Sequence, residues 1–241
     1  MSIDNLKTRL NYYGINAEDR LIKDKRRSLN KALLYSYQGI TISLLDRDDP
    51  TKFTRDFRAL LNPNKDNLTY DDKILSIPYN DIQLNKERVG KTLEGRVETM
   101  IKSGDVFYWA ETDTYWIIYM QMLSERAYFR AEVRLCEKTV DVNGVPYHVY
   151  FRGPIEQQIA WAVKKGDIWN NPNYSGLMFI TKNEDTQAFF HRFTKFEIDG
   201  EMWECQVVNS DSGDGILQIA LKEAYNNTIE KENKQYQKDI K

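Results

Sequence analysis

The chain is poor in the residues on which most protein chemistry depends. Its 241 residues include two cysteines and two histidines. Neither His148 nor His191 has a histidine partner four residues away or a cysteine pair beside it, which argues against a transition-metal centre. Each reads as a strand or core-edge histidine. Cys136 and Cys205 fall in apolar, strand-like stretches rather than at ligand spacing and read as two buried thiols, with a disulfide between them left open. No Gly-x-Ser-x-Gly turn occurs, so nucleophilic serine chemistry has no support. Phosphate-cradling glycine loops are also missing: Gly213-Asp214-Gly215 comes nearest, but it precedes a strand and has no lysine to reach a phosphate. The stretch Asp211 to Gly215 lacks the spaced third ligand and late glutamate of a calcium loop. The sequence therefore reads as a non-enzymatic chain with no cofactor, no metal and no catalytic set.

Charge of one sign and long apolar runs are missing too. The formal net charge is −2, so the molecule as a whole has no nucleic-acid or membrane footprint. The longest apolar run, Tyr115 to Met120, is far too short to span a bilayer, and the opening residues hold no apolar core of a signal peptide. A soluble intracellular product is expected. Carboxylates are plentiful at Asp46, Asp48 and Asp49 and at Asp71 and Asp72, and a pair of carboxylates can do acid–base work on a sugar. Both groups stand in polar turn sequence and read as solvated turn residues.

What the chain does have is aromatics, at 12% of residues, with tyrosine the most frequent. Such residues suit pleated, half-buried surfaces and interfaces. The order of elements begins with a helix over about 17–38. Asn16 can cap it, Glu18 and Asp19 place acid in its first turn, and Gly39 can end it. Ile22, Leu29, Leu33 and Tyr37 form its apolar stripe, widened by Leu21 and Leu34. The opposite face carries Lys23, Arg26, Arg27 and Lys31. A charge run of this kind is usually a solvated face; its functional reading is contact with DNA or an acidic neighbour.

From Ile40 the pattern changes to short strands: Ile40–Leu45, Phe57–Leu61, Lys73–Pro78, Gly104–Trp109, Tyr115–Gln121 and Tyr128–Cys136. The last alternates cleanly, with Phe129, Ala131, Val133 and Leu135 on one face. Tyr128, Arg130, Glu132 and Arg134 form the other, which should meet solvent or a partner. Leu84 to Ser103 reads as a long connection. Two hairpins follow one script, turning on Asn143-Gly144 and Asp199-Gly200, where both central residues tolerate positive φ. Each has an aromatic three residues past its glycine, Tyr147 or Trp203. Such hairpins arise independently more readily than by duplication. Leu177–Thr181 reads as a strand, Asp185–Phe193 as one helical turn or a strand, and Ile216–Glu223 as a final strand. The tail from Asn226 is charged and without an apolar stripe.

The expected fold is mainly β (α+β): an arm and amphipathic helix over 1–39, then one or two small antiparallel barrels or sandwiches. A first β domain covers 40–140, a second domain or a continuation of the first covers 141–225, and a charged arm covers 226–241. Met1 to Gly14, Asp19 to Lys25 and Lys31 to Gln38 resemble the opening of a family of tailed-phage virion proteins of the head-closure or head–tail connector type. So do Gly104–Trp109, Tyr115–Tyr119 and Tyr128–Cys136, and the likeness runs on to the Asp199-Gly200 hairpin and the strand after Gly215. The resemblance implies a small β-barrel or sandwich that packs into a homo-oligomeric ring at the particle's neck. Its partners there are portal or adaptor on one side and tail proteins on the other, with non-specific contact with packaged DNA and none with membrane. It implies a location in the virion after synthesis in the host cytoplasm. A tail terminator or distal tail component is the nearest alternative, and a carboxylate-based glycan hydrolase the most distant.

Overall fold

The computed structural model describes residues 17–35, 39–64, 71–78, 101–122, 128–153, 176–210 and 215–224. The expected arms and most of the connection from Leu84 to Ser103 lie outside these residues. Helix α1 is Ala17–Tyr35, and Gly39 opens strand β1 instead of ending the helix. Leu29 and Leu33 are buried against Leu60, with Ala32 and Tyr128 beside them. Leu21 is 58% exposed. It precedes Leu29 by eight residues, which turns it about 80° away from the docked line. The apolar stripe is thus narrower than its spacing predicts.

Among the described residues twelve strands follow: β1 Gly39–Leu45, β2 Phe53–Pro63, β3 Asp72–Pro78, β4 Val106–Trp109, β5 Thr114–Gln121, β6 Tyr128–Cys136, β7 Lys138–Val142, β8 Val145–Arg152, β9 Gly176–Thr181, β10 Lys195–Ile198, β11 Glu201–Asn209 and β12 Ile216–Glu223. A short helix α2, Glu184–Phe189, sits between β9 and β10. The first six strands close into a barrel in the order β1-β2-β3-β6-β5-β4, shut by Ser43↔Tyr108 and Leu44↔Phe107. Ile42, Phe57, Leu75, Phe107, Trp116, Ile118, Phe129 and Val133 fill it. Alternation along β6 falls as its sequence predicts, with Phe129, Ala131 and Val133 fully buried.

The last six strands form a second sheet in the order β7-β8-β9-β12-β11-β10. Its two margins share one core, to which β7 gives Val140 and Val142 and β10 gives Phe196 and Ile198. Lys138 on β7 forms an ion pair with Asp199 at the far end of β10. Numbered from their own first strands, the two sheets have the same connectivity, each made of two three-stranded meanders joined through their third strands. Both hairpins turn as expected, with φ of 55° and 86° at Asn143-Gly144 and 53° and 85° at Asp199-Gly200. They open the two meanders of the second sheet. Tyr147 and Trp203 therefore occupy matching places and both lie in its core, 2% exposed. The sheets change over at Glu137.

Candidate functional site

The residues of chemical interest converge on the seam between the two sheets. On the first barrel, the outward face of β4–β6 presents Val106, Ile117, Tyr119 and Cys136, and Leu45 joins from β1. The second sheet lays Tyr150, Phe179 and Ile216 against them. Rings cross the seam in two stacks. Tyr115 lies flat on His148, centroids 3.5 Å apart, and Phe179 is sandwiched between Tyr119 at 4.9 Å and Tyr150 at 5.2 Å. Stacked aromatics add to the area they bury. On the outward face of β6, left by its sequence to solvent or a partner, Arg134 thus meets the other half of the same chain, while Tyr128 packs beside α1.

At one edge of this apolar patch lies a group of charges. Asp71 and Asp72 are each 2% exposed, which corrects the reading of them as solvated turn residues. Asp72 opens β3 directly opposite Arg134 on β6, and its carboxylate meets that guanidinium at 2.9 Å. Asp71 pairs with Arg152 from β8, an ion pair between the two sheets. The Arg152 Nε donates to the Tyr150 hydroxyl at 2.8 Å, and Arg134 lies over the rings of Tyr119 and Tyr150. Two carboxylates so neutralised can enter a nonpolar seam, because each charge has a partner in place of water. Asp46 and Asp49 do remain turn residues. Asp46 accepts the amides of Asp48 and Asp49, and Asp49 pairs with Lys52.

A second junction is built from backbone. Gly104, at φ +86°, meets Gly215 so closely that a Cβ on Gly104 would stand 1.6 Å from the Gly215 carbonyl oxygen. Around it Arg47 pairs with Asp105, whose carboxyl is pushed up by burial and pulled back by Arg47 and the Lys102 amide. The Thr181 hydroxyl donates to the Gly104 carbonyl at 2.7 Å. Asn183 caps α2 reciprocally with Thr186, and its amide also donates to the Arg47 carbonyl at 2.8 Å and the Tyr147 hydroxyl at 2.9 Å. One side chain thereby starts the helix and ties it to the first barrel.

His148 is half-buried on β8, and burial lowers its pKa below the ordinary value. The unfolded chain then binds a proton more readily than the folded one, so the contribution is complete above the unfolded value of about 6.5 and lost as pH falls below it. Thermal melts of the wild type should decline between neutral pH and pH 5 more steeply than those of His148→Phe, which keeps the stack on Tyr115. Equal slopes would show that the imidazole contributes nothing to this pH dependence. Both cysteines are free and buried, as read. Burial raises the Cys136 thiol and pushes Cys205 up to about 12. Neither should react with a thiol reagent in the native protein at pH 8, and both should titrate in denaturant; rapid native labelling would contradict the packing described.

On α1, Arg27 and Lys31 are exposed on the side opposite Leu29, and Arg26 is half-buried nearer the docked face. Lys23 shares the helix. A third feature escaped the sequence: a cleft of about 550 Å³ between the end of α2 and β11, lined by Phe190, His191, Arg192, Val207 and Leu217 among others. Among the described residues, no three His, Cys, Asp or Glu side chains gather where a metal ion could bind, and no helix is long and apolar enough to cross a membrane. Comparison with protein-family models, with curated proteins and with solved structures returns no match.

Proposed function

We propose that this chain is a structural subunit of a tailed-phage particle, a head-closure or connector ring protein at the neck that joins portal or adaptor to tail. The observation that carries the reading is where the charges go. Asp71, Asp72, Arg134 and Arg152 neutralise one another between two packed sheets, and they hold a shape instead of facing a substrate. Each carboxylate is buried against a guanidinium inside the seam, away from the open surface a sugar would need, which weighs against the hydrolase alternative. Large apolar side chains stand exposed at several places on the surface, Leu21, Tyr35, Phe53, Met120, Phe193 and Val207. Contact surfaces of an assembly subunit need such residues. The segments that resemble phage neck proteins, Gly104–Trp109, Tyr115–Tyr119 and Tyr128–Cys136, are also the strands that build the seam.

In this reading the mechanism is mechanical. A closed barrel and a second sheet packed along one seam give a single body, and such bodies in head-to-tail contact close a ring. The basic face of α1, with Arg27 and Lys31 outward, suits the packaged DNA or an acidic neighbour. Blocking expression during infection should yield filled heads and finished tails that fail to join, seen in negative-stain images of the lysate. Tails of uncontrolled length would favour a tail terminator instead, and normal particles would end the structural reading.

A further inference from the structure

We infer that copies of this chain join head to tail through one defined contact: an acidic aromatic rim on the first barrel of one copy enters the cleft beside β11 on the next. The inference rests on the ring reading and names its interface. The cleft is floored by buried Phe190 and Leu217 and edged by Val207, 44% exposed, with Phe193, 60% exposed, next in the chain to lining Arg192. Exposed His191 and Arg192 line it, and among the described residues no carboxylate does. Arg192 lies over the Phe193 ring at 4.9 Å. Beyond Cys205, which bonds to Phe193 and Thr194, β11 pairs among the described residues with β12 alone. The cleft thus offers apolar area and positive charge beside a strand edge, a combination suited to an acidic, aromatic partner.

The first barrel carries that complement. Phe53 is 56% exposed, and its ring stands 5.8 Å from Tyr108, whose hydroxyl donates to Asp113 at 2.9 Å. Asp56 and Glu111 are exposed on the same strands and turn. The nearby cations are engaged elsewhere: Arg55 leans over Phe57, and Lys52 pairs with Asp49. From Tyr108 the rings run through Tyr115 to His148 on β8. In the order of the second sheet β8 and β11 each stand one strand in from opposite margins, with β9 and β12 between them. A patch and its complement on opposite flanks cannot satisfy each other in a twofold dimer. They make a heterologous contact, which continues from copy to copy until a ring closes.

Sedimentation velocity of the full chain, with circular dichroism confirming the fold of each variant, tests the contact. The wild type should form a closed oligomer that loosens as salt rises. Arg192→Glu and the pair Asp56→Lys with Glu111→Lys should each weaken association about tenfold or more. All three changes in one chain should restore the oligomer. Mixing the two weakened proteins should also restore association, with native and charge-swapped contacts alternating from copy to copy. Closed oligomers indifferent to both sets of changes would overturn this interface while leaving a ring. A wild type that stays monomeric at every concentration would overturn the interface and the self-assembling ring together.

Discussion

Gly104→Ala is expected to cost about 4 kcal/mol or more, at the upper end of what single substitutions do. Two effects add. The residue sits at φ +86°, where an alanine is strained, and its Cβ would fall 1.6 Å from the Gly215 carbonyl oxygen, a backbone atom with no rotamer to move to. Relief requires the barrel and the second sheet to separate, which also pulls Thr181 from the Gly104 carbonyl and disturbs the Arg47–Asp105 pair beside it. For a chain of this size the melting temperature should fall by about 10 °C or more. Gly144→Ala and Gly200→Ala are the controls. They share the positive φ, at 86° and 85°, but a Cβ there meets nothing within 4 Å. Each should cost only about 1 kcal/mol. Urea denaturation of the three variants measures the difference, and a Gly104→Ala protein no less stable than the other two would refute the close approach.

Arg134→Ala should cost about 3–5 kcal/mol, because it takes a guanidinium at 2.9 Å away from the buried Asp72 carboxylate. The side chain of Asp72 has 0% exposure and that of Arg134 11%, so neither water nor salt can substitute. The cation over Tyr119 and Tyr150 is lost with it, loosening the seam where its aromatic rings stack. Removing both partners, as Arg134→Met with Asp72→Leu, should recover most of the loss, since a buried ion pair is often replaceable by apolar side chains of similar volume. Lys52→Ala provides the contrast. Its pair with Asp49 has side chains 74% and 38% exposed, and the change should leave stability nearly unchanged. Chemical denaturation in low and high salt separates the cases; an Arg134→Ala loss as small and as salt-sensitive as that of Lys52→Ala would mean the seam is wet.

These two sites also mark what sequence reading can reach. Periodicity placed the strands and said which side chains of β6 share a face, because alternation is a property of one strand. It could not say what covers the other face, because that depends on packing between strands far apart in the chain. Arg134 and Glu132 were therefore left to solvent or a partner, and Asp71 and Asp72 looked like solvated turn residues, although each aspartate is 2% exposed. One signal was present. Tyr115 to Met120 has apolar residues on both faces, the pattern of a strand covered on both sides. Gly144 and Gly200 were legible because a two-residue hairpin needs positive φ there. Gly104 and Gly215 were not, since their role lies in a contact between backbones 111 positions apart. The cleft beside β11 depends likewise on α2 and β11 meeting through the fold.

The closed barrel and the second sheet share one connectivity and pack into one body. Each sheet buries its own core, and the residues left facing outward on β4–β6 and on β8, β9 and β12 make a third apolar cluster that binds the two. A dry seam of that kind is the physical content of the function proposed here.

Averaged electron density of the particle's neck is the most direct measurement of that function. It should contain copies of this two-sheet body arranged in a ring about the tail axis, with β11 of each copy turned toward the first barrel of the next. Density at the joint fully accounted for by other chains, with this protein missing from purified particles, would contradict the account at its centre.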